Sequence, residues 1–317
     1  MSGMDAGSTR RAVLQGAAAL ATGLPATGLP ATGLPAMGLP ARAEGTGMLT
    51  RTIPSSGESL PVIGLGTWLG FDVGEGEAER ERLGAVVRIL LDGGGRVIDS
   101  SPMYGRAEGV VGDLLAGSGA RPRAFLATKV WTSGRAAGLA QMRQSFARLR
   151  TDRVDLMQIH NLVDWRTHLP ALRAWKQEGR IRYLGISHYT ESAFDAVEAV
   201  LRAERLDFLQ INYALDDRAA EARLLPLAAE RGVAVLVNRP FGGGGLLRRL
   251  KDRPLPDYAA ALGCGSWAEI LLKFVLSHPA VTCAIPGTGR PEHMAANLRA
   301  ATGPLPDADL RRRMAEI

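Results

Sequence analysis

Arg96-Val97-Ile98-Asp99-Ser100, Ala124-Phe125-Leu126-Ala127-Thr128-Lys129 and Asp155-Leu156-Met157-Gln158-Ile159-His160 follow one another at intervals of about thirty residues. Each run is short, mostly apolar and closed by polar side chains. Val62-Ile63-Gly64-Leu65-Gly66 precedes them. Tyr183-Leu184-Gly185-Ile186-Ser187, Phe208-Leu209-Gln210-Ile211-Asn212, Ala234-Val235-Leu236-Val237-Asn238 and Thr282-Cys283-Ala284-Ile285-Pro286 follow. These eight runs are as nearly continuous in apolar residues as parallel strands covered on both faces must be. Helical spacing fills the intervals: Leu139, Met142, Phe146 and Leu149 form one stripe, and Phe194, Val197, Val200 and Leu201 another. Eight strand-then-helix units in about 250 residues predict an α/β fold, a (β/α)8 TIM barrel. A hairpin over Leu49 to Pro61, turning at Ser55-Ser56-Gly57, is expected to precede it. The competing doubly wound sheet asks for G-x-G-x-x-G after its first strand. Gly64-Leu65-Gly66-Thr67-Trp68-Leu69 lacks the third glycine.

Composition narrows the function. With 46% hydrophobic and 22% charged residues in 317, the chain is not a disordered one, and Cys264 and Cys283 cannot make a disulfide scaffold. The net charge of +6 is scattered, with no basic run interleaved with aromatics, so nucleic acid is not an expected partner. His160, His168, His188, His278 and His293 show no paired ligand spacing, and no metal is expected. Only four of the 38 basic residues are lysines: Lys129, Lys176, Lys251 and Lys273. A lysine at a chemically suggestive place in such a chain needs a reason for not being arginine.

Residues 1–43 have a different composition from the rest. Arg10-Arg11 stand before an Ala-rich apolar stretch, Ala41-Arg42-Ala43 has the small-x-small pattern read by a signal peptidase, and between them Ala21-Thr22-Gly23-Leu24-Pro25 recurs in near copies as far as Pro40. This looks like a twin-arginine (Tat) signal peptide. The expectation is an export leader over 1–43, engaging the Tat translocon, and a barrel over 44–317. The mature protein is then periplasmic or exported, or cytoplasmic if the leader is inefficient. Removing the leader takes three basic residues and one acidic, leaving 274 residues at +4. No later run is apolar over the ~18 residues a membrane span needs, so no integral membrane segment is expected, and a monomer is.

The strand ends carry the chemistry. In a barrel, Asp99, Lys129, His160, Ser187, Gln210 and Asn238 all arrive at the C-terminal rim, where sites of this fold are built. A lone strand-end histidine or lysine is ordinarily a satisfied polar group. Several strands in succession closing on such groups are another matter. Tyr104, five residues past Asp99, is able to lean over the mouth. A phenol with a pKa of about 10 needs a cation to stabilise its phenolate. Lys129 supplies one, Asp99 holds the ammonium, and His160 orients a substrate oxygen toward Tyr104. The set fits protonation of an oxygen on which charge develops, as in carbonyl reduction.

At these residues the sequence resembles the aldo-keto reductase superfamily. Gly64-Leu65-Gly66-Thr67-Trp68, Val97 through Gly105, Thr128-Lys129, Gln158-Ile159-His160-Asn161, Leu184-Gly185-Ile186-Ser187 and Ile285-Pro286-Gly287-Thr288 stand in the family's order. The resemblance implies an NAD(P)H-dependent reductase of aldehydes or ketones, with Tyr104 as proton donor, Lys129 and Asp99 tuning it, and His160 positioning the carbonyl. It implies NADP as cofactor, with NAD as the other possibility. Gly66, Thr67 and Asn238 are expected to contact the cofactor, Ser187 and Gln210 its carboxamide, and Gly242 and Gly243 its pyrophosphate. Thr288 and Arg290 are expected at a 2′-phosphate and Asn297 at the adenine. Trp68, Met103, Trp131, Asn161 and Trp165 are expected around a small carbonyl substrate, in a pocket left open because a long C-terminal loop is not expected.

The chain also departs from the family's pattern. His188 stands where asparagine is frequent, Asn238 or Arg239 where an aromatic stacks on the nicotinamide, and Gly287 and His293 where basic residues clamp the 2′-phosphate. Two other readings follow: a reductase-like barrel that binds nicotinamide or a partner with little catalysis, and a Schiff-base barrel using Lys129.

Overall fold

A computed structural model of the chain describes residues 47–317, so the leader expected over 1–43 lies outside the described residues. β1 (Thr50–Thr52) and β2 (Ser59–Pro61) pair antiparallel, Thr50 opposite Pro61. The Ser56 and Gly57 amides donate to the Ile53 carbonyl, and Gly57 takes φ +77°, which a glycine adopts without strain.

Eight parallel strands follow in sequence order: β3 (Leu65–Gly66), β4 (Val97–Asp99), β5 (Phe125–Val130), β6 (Val154–His160), β7 (Ile181–Ser187), β8 (Phe208–Asn212), β9 (Ala234–Asn238) and β10 (Val281–Ala284). The sheet curls until its edges meet. Ile63 bridges Ala284 and Gly66 bridges Gly287, with Gly64 N–H donating to the Ala284 carbonyl at 2.9 Å and Gly66 N–H to the Pro286 carbonyl at 3.2 Å. β3 is shorter than the apolar run 62–66 suggests, because the segment is squeezed between two neighbours. A Cβ on Gly64 would lie 2.7 Å from Val97 Cβ, and one on Gly66 2.9 Å from the Ile285 carbonyl oxygen.

Each strand is followed by helix: α1 (Glu77–Asp92), α2 (Ala107–Gly117), α3 (Arg135–Arg148), α4 (Trp165–Gln177), α5 (Phe194–Ala203) and α6 (Leu224–Glu230). α7 (Gly245–Leu250) and α8 (Trp267–Leu276) lie between β9 and β10, and α9 (Pro291–Arg299) and α10 (Ala308–Met314) complete the chain. Both stripes read from the sequence are at the core: Met142, Phe146 and Leu149 of one, and all four residues of the other, are buried. Among the described residues no helix is long and apolar enough to cross a membrane.

Alternation along the strands sorts the side chains into two cores. Ile98, Leu126, Met157, Ile159, Ile186, Leu209 and Ile211 face the helices. Val97, Phe125, Ala127, Leu156, Tyr183, Phe208 and Leu236 fill the interior, joined by Ile53 and Leu60 from the hairpin. The same parity carries Asp99, Lys129, Gln158, His160, Ser187, Gln210 and Asn238 inward. The apolar interior is therefore capped at one end by a polar group of side chains.

Candidate active site

At the polar end lies a cavity of about 1320 Å³, lined by Asp99, Tyr104, His160, Trp68, Met103, Trp131 and Asn161 on one part and by residues of the loops after β9 and β10 on another. Backbone strain gathers here. Among the described residues six non-glycine residues have positive φ, and five of them, Leu69, Asn161, Leu162, Asp164 and Arg239, lie in loops that leave the C-terminal strand ends.

Lys129 lies beneath the cavity floor, fully buried, and donates to Asp99 Oδ2 at 2.6 Å and to the Ser100 carbonyl at 2.8 Å. Asp99 also receives Gln158 Nε2 at 3.1 Å and Gln210 Nε2 at 2.8 Å on Oδ1. Burial by itself would lower the Lys129 pKa, but Asp99 and Tyr104 together hold it above its ordinary value. The lysine is a fixed cation. Its complete burial and its ion pair exclude the Schiff-base use, which needs an accessible neutral amine.

The Lys129 ammonium is 5.0 Å from the Tyr104 ring centroid. Burial raises the phenol above its ordinary pKa; Lys129 pulls it down, and Asp99 pushes it up again. The expected role of Lys129 is to stabilise the phenolate. The cation acts in that direction, but burial outweighs it, so Tyr104 is protonated at neutral pH.

His160 Nδ1 lies 2.8 Å from Ser187 Oγ. Burial, the Lys129 charge and His188 hold the imidazole pKa down to about 3, so the ring is neutral. Tyr189 lies face-on to it at 6.0 Å and Trp131 edge-on at 6.5 Å between centroids.

The other expected contacts divide. Gly66, Thr67, Gln210, Asn238, Gly243, Thr288, Arg290 and Asn297 line the cavity. The Thr67 hydroxyl is already engaged, at 3.0 Å from both the Asp99 carbonyl and Ser100 Oγ, and Gln210 donates to Asp99. Thr288 Oγ1 accepts from Arg290 N–H at the start of α9. Ser187, Gly242 and Trp165 are not among the lining residues. Ser187 sits behind His160, Gly242 backs onto Asp216, and Trp165 packs on the outer core under Arg166. Asn212 donates to Asp217 at 2.7 Å and is structural.

Tyr189, Phe241, Lys251, Arg253 and Trp267 also line the cavity, and the sequence reading did not name them. Tyr189 had a signal, since it keeps the inward parity of Ser187 beyond the strand end. Lys251 and Arg253 had none, because only the path of the chain after α7 brings them back. Among the described residues, Arg239, Lys251, Arg253 and Arg290 line the cavity without an ion-pair partner, and Asp99, bound to Lys129, is the one lining carboxylate. Asn161 Oδ1 and Asn238 Oδ1 are buried acceptors with no donor.

The rim of the barrel gathers a phenol, a neutral imidazole and a buried lysine–aspartate pair beside a cationic groove, an arrangement with the parts to move a proton at one oxygen. Residues 62–315 match the Aldo/keto reductase family, and the chain belongs to that family of oxidoreductases. Methylglyoxal reductase YeaE of Escherichia coli K12 is 30% identical over 272 residues, covering 83% of this chain and 93% of that protein. An aldo/keto reductase from Klebsiella pneumoniae, solved in complex with NADP and acetate, is 30% identical with a TM-score of 0.70, over 82% of this chain and 92% of its own. The holo form of aldo-keto reductase AKR11C1 from Bacillus halodurans is 25% identical with a TM-score of 0.68, over 85% and 96%.

Proposed function

We propose that the protein reduces aldehydes or ketones to alcohols with NADPH. The observation that carries this reading is the meeting of a protonated Tyr104, a neutral His160 and the buried Lys129–Asp99 pair at one cavity. The residues present fit the cofactor. Two buried carboxamide oxygens without donors, on Asn161 and Asn238, suit an amide NH2, and the unpaired cations of the groove suit a polyanion. The reduced nicotinamide supplies hydride to the carbonyl carbon. His160 and Tyr104 flank the carbonyl oxygen, and the Tyr104 hydroxyl gives it a proton as charge develops there. Lys129 stabilises the phenolate left behind, which regains its proton from solvent. Trp68 and Trp131, 58% and 44% exposed, give the mouth an apolar rim suited to hydrophobic substituents. NADPH oxidation with a panel of aromatic aldehydes tests the reading; no oxidation with any carbonyl compound contradicts it.

The 2′-phosphate is proposed to rest on Thr288 and Arg290. Arg290→Ala is expected to weaken NADPH binding about tenfold, the weight of one charge-assisted hydrogen bond, and to leave NADH binding unchanged. Tryptophan fluorescence titration reads both constants, and equal losses would remove the preference for NADP.

Export through the Tat system is proposed for residues 1–43, with cofactor bound before the folded protein crosses. Changing Arg10 and Arg11 to lysine is expected to retain the protein in the cytoplasm. Cell fractionation, with nicotinamide measured in the periplasmic protein, checks both parts; an unchanged distribution contradicts the leader.

A further inference from the structure

We propose that Ser187 is a positioning residue that sets which nitrogen of His160 carries the proton: its hydroxyl donates to Nδ1, leaving Nε2–H to face the cavity as donor to the substrate oxygen. This rests on the reductase reading and adds the origin of the donor that His160 presents.

Ser187 is 1% exposed, and its hydroxyl has one protein partner, His160 Nδ1 at 2.8 Å. A buried hydroxyl has a proton that must find an acceptor. Among the described residues no other acceptor is hydrogen-bonded to this oxygen, so the proton goes to Nδ1. The opposite arrangement, Nδ1–H donating to Oγ, would leave the O–H of a serine only 1% exposed without a protein acceptor. A doubly protonated ring is disfavoured by burial and by the Lys129 charge, which hold its pKa to about 3. One ring proton remains, and it is on Nε2.

The strands keep this pair in place. His160 and Ser187 are register partners on β6 and β7, and Asn161 N–H donates to the Ser187 carbonyl at 2.7 Å. His160 lines the cavity and Ser187 does not, so the serine acts through the imidazole. The arrangement also restricts what Ser187 offers a nicotinamide carboxamide. With its proton spent on Nδ1, the hydroxyl oxygen acts there as an acceptor alone.

Nitrogen-15 NMR of histidine-labelled protein reads the tautomer, with His160 assigned by His160→Gln. The expected wild-type spectrum at neutral pH shows His160 protonated at Nε2 and bare at Nδ1. Ser187→Ala is expected to mix the two tautomers and lower kcat about tenfold, the weight of a single hydrogen bond. Ser187→Thr, which keeps the hydroxyl, is expected to restore both. A wild-type ring protonated at Nδ1 overturns the proposal, as does a Ser187→Ala spectrum identical to wild type. If Ser187→Ala fails to fold, the wild-type spectrum alone still decides. Failure to oxidise NADPH with any carbonyl compound would remove the reductase reading and leave the tautomer result standing, so the two failures are distinguishable.

Discussion

Replacing Tyr104 by phenylalanine is expected to lower kcat for carbonyl reduction by about 10²- to 10⁴-fold, the usual contribution of a positioned proton donor. Cofactor binding should stay within about twofold. The expectation follows from the position of the phenol. It is protonated at neutral pH and within reach of the one cation buried under the cavity, and loss of its hydroxyl leaves the ring and the Lys129–Asp99 pair beneath it. His160, with its pKa near 3, cannot take over as an acid at neutral pH. Steady-state assays with parallel fluorescence titration of NADPH separate the two effects. Retained turnover in the variant would show that the proton comes from elsewhere.

Lys129→Met is expected to fail twice. The substitution preserves volume and removes a charge that is wholly buried against an Asp99 itself only 3% exposed. Breaking a buried pair from one side costs about 3–5 kcal/mol, because the remaining charge has neither partner nor water. Urea unfolding should register that loss. Whatever fraction remains folded should turn over at least about 10²-fold more slowly, since the Tyr104 phenolate then forms beside an unpaired carboxylate. A variant of wild-type stability would contradict a charge-paired Lys129–Asp99 contact in the native state. Lysine suits this position where arginine dominates elsewhere, because a compact ammonium, fully buried, donates from one atom to both Asp99 and the Ser100 carbonyl.

The barrel was legible because its strands are buried on both faces and separated by helical stripes. The run 208–212 coincides with β8 and the run 234–238 with β9, whereas of the run 62–66 only Leu65–Gly66 is strand, with Ile63 and Gly66 bridging to Ala284 and Gly287 across the seam. The meeting of the candidate catalytic side chains was legible for the same reason. Strand parity delivers Asp99, Lys129 and His160 inward at adjacent ends, so the order of the strands fixes their meeting. What parity does not give is the partner of each polar atom. Ser187 and Gln210 are expected at a nicotinamide carboxamide, and strand parity does not announce that each also has a protein partner, His160 for the one and Asp99 for the other. Nor does it give the balance of opposing effects on Tyr104, where burial outweighs the lysine. The cations at 251 and 253 were invisible because a return of the chain after α7, with no periodic pattern of its own, brings them to the groove.

The most direct measurement of the central claim follows the hydride itself. Protein is incubated with NADPH carrying deuterium at the transferable C4 position and an aromatic aldehyde, and the product is examined by mass spectrometry and NMR. One deuterium on the carbinol carbon of the alcohol, formed in step with cofactor oxidation and absent with Tyr104→Phe, is the expected result. An alcohol without deuterium, or no alcohol while the labelled cofactor remains bound and reduced, would contradict carbonyl reduction at this site.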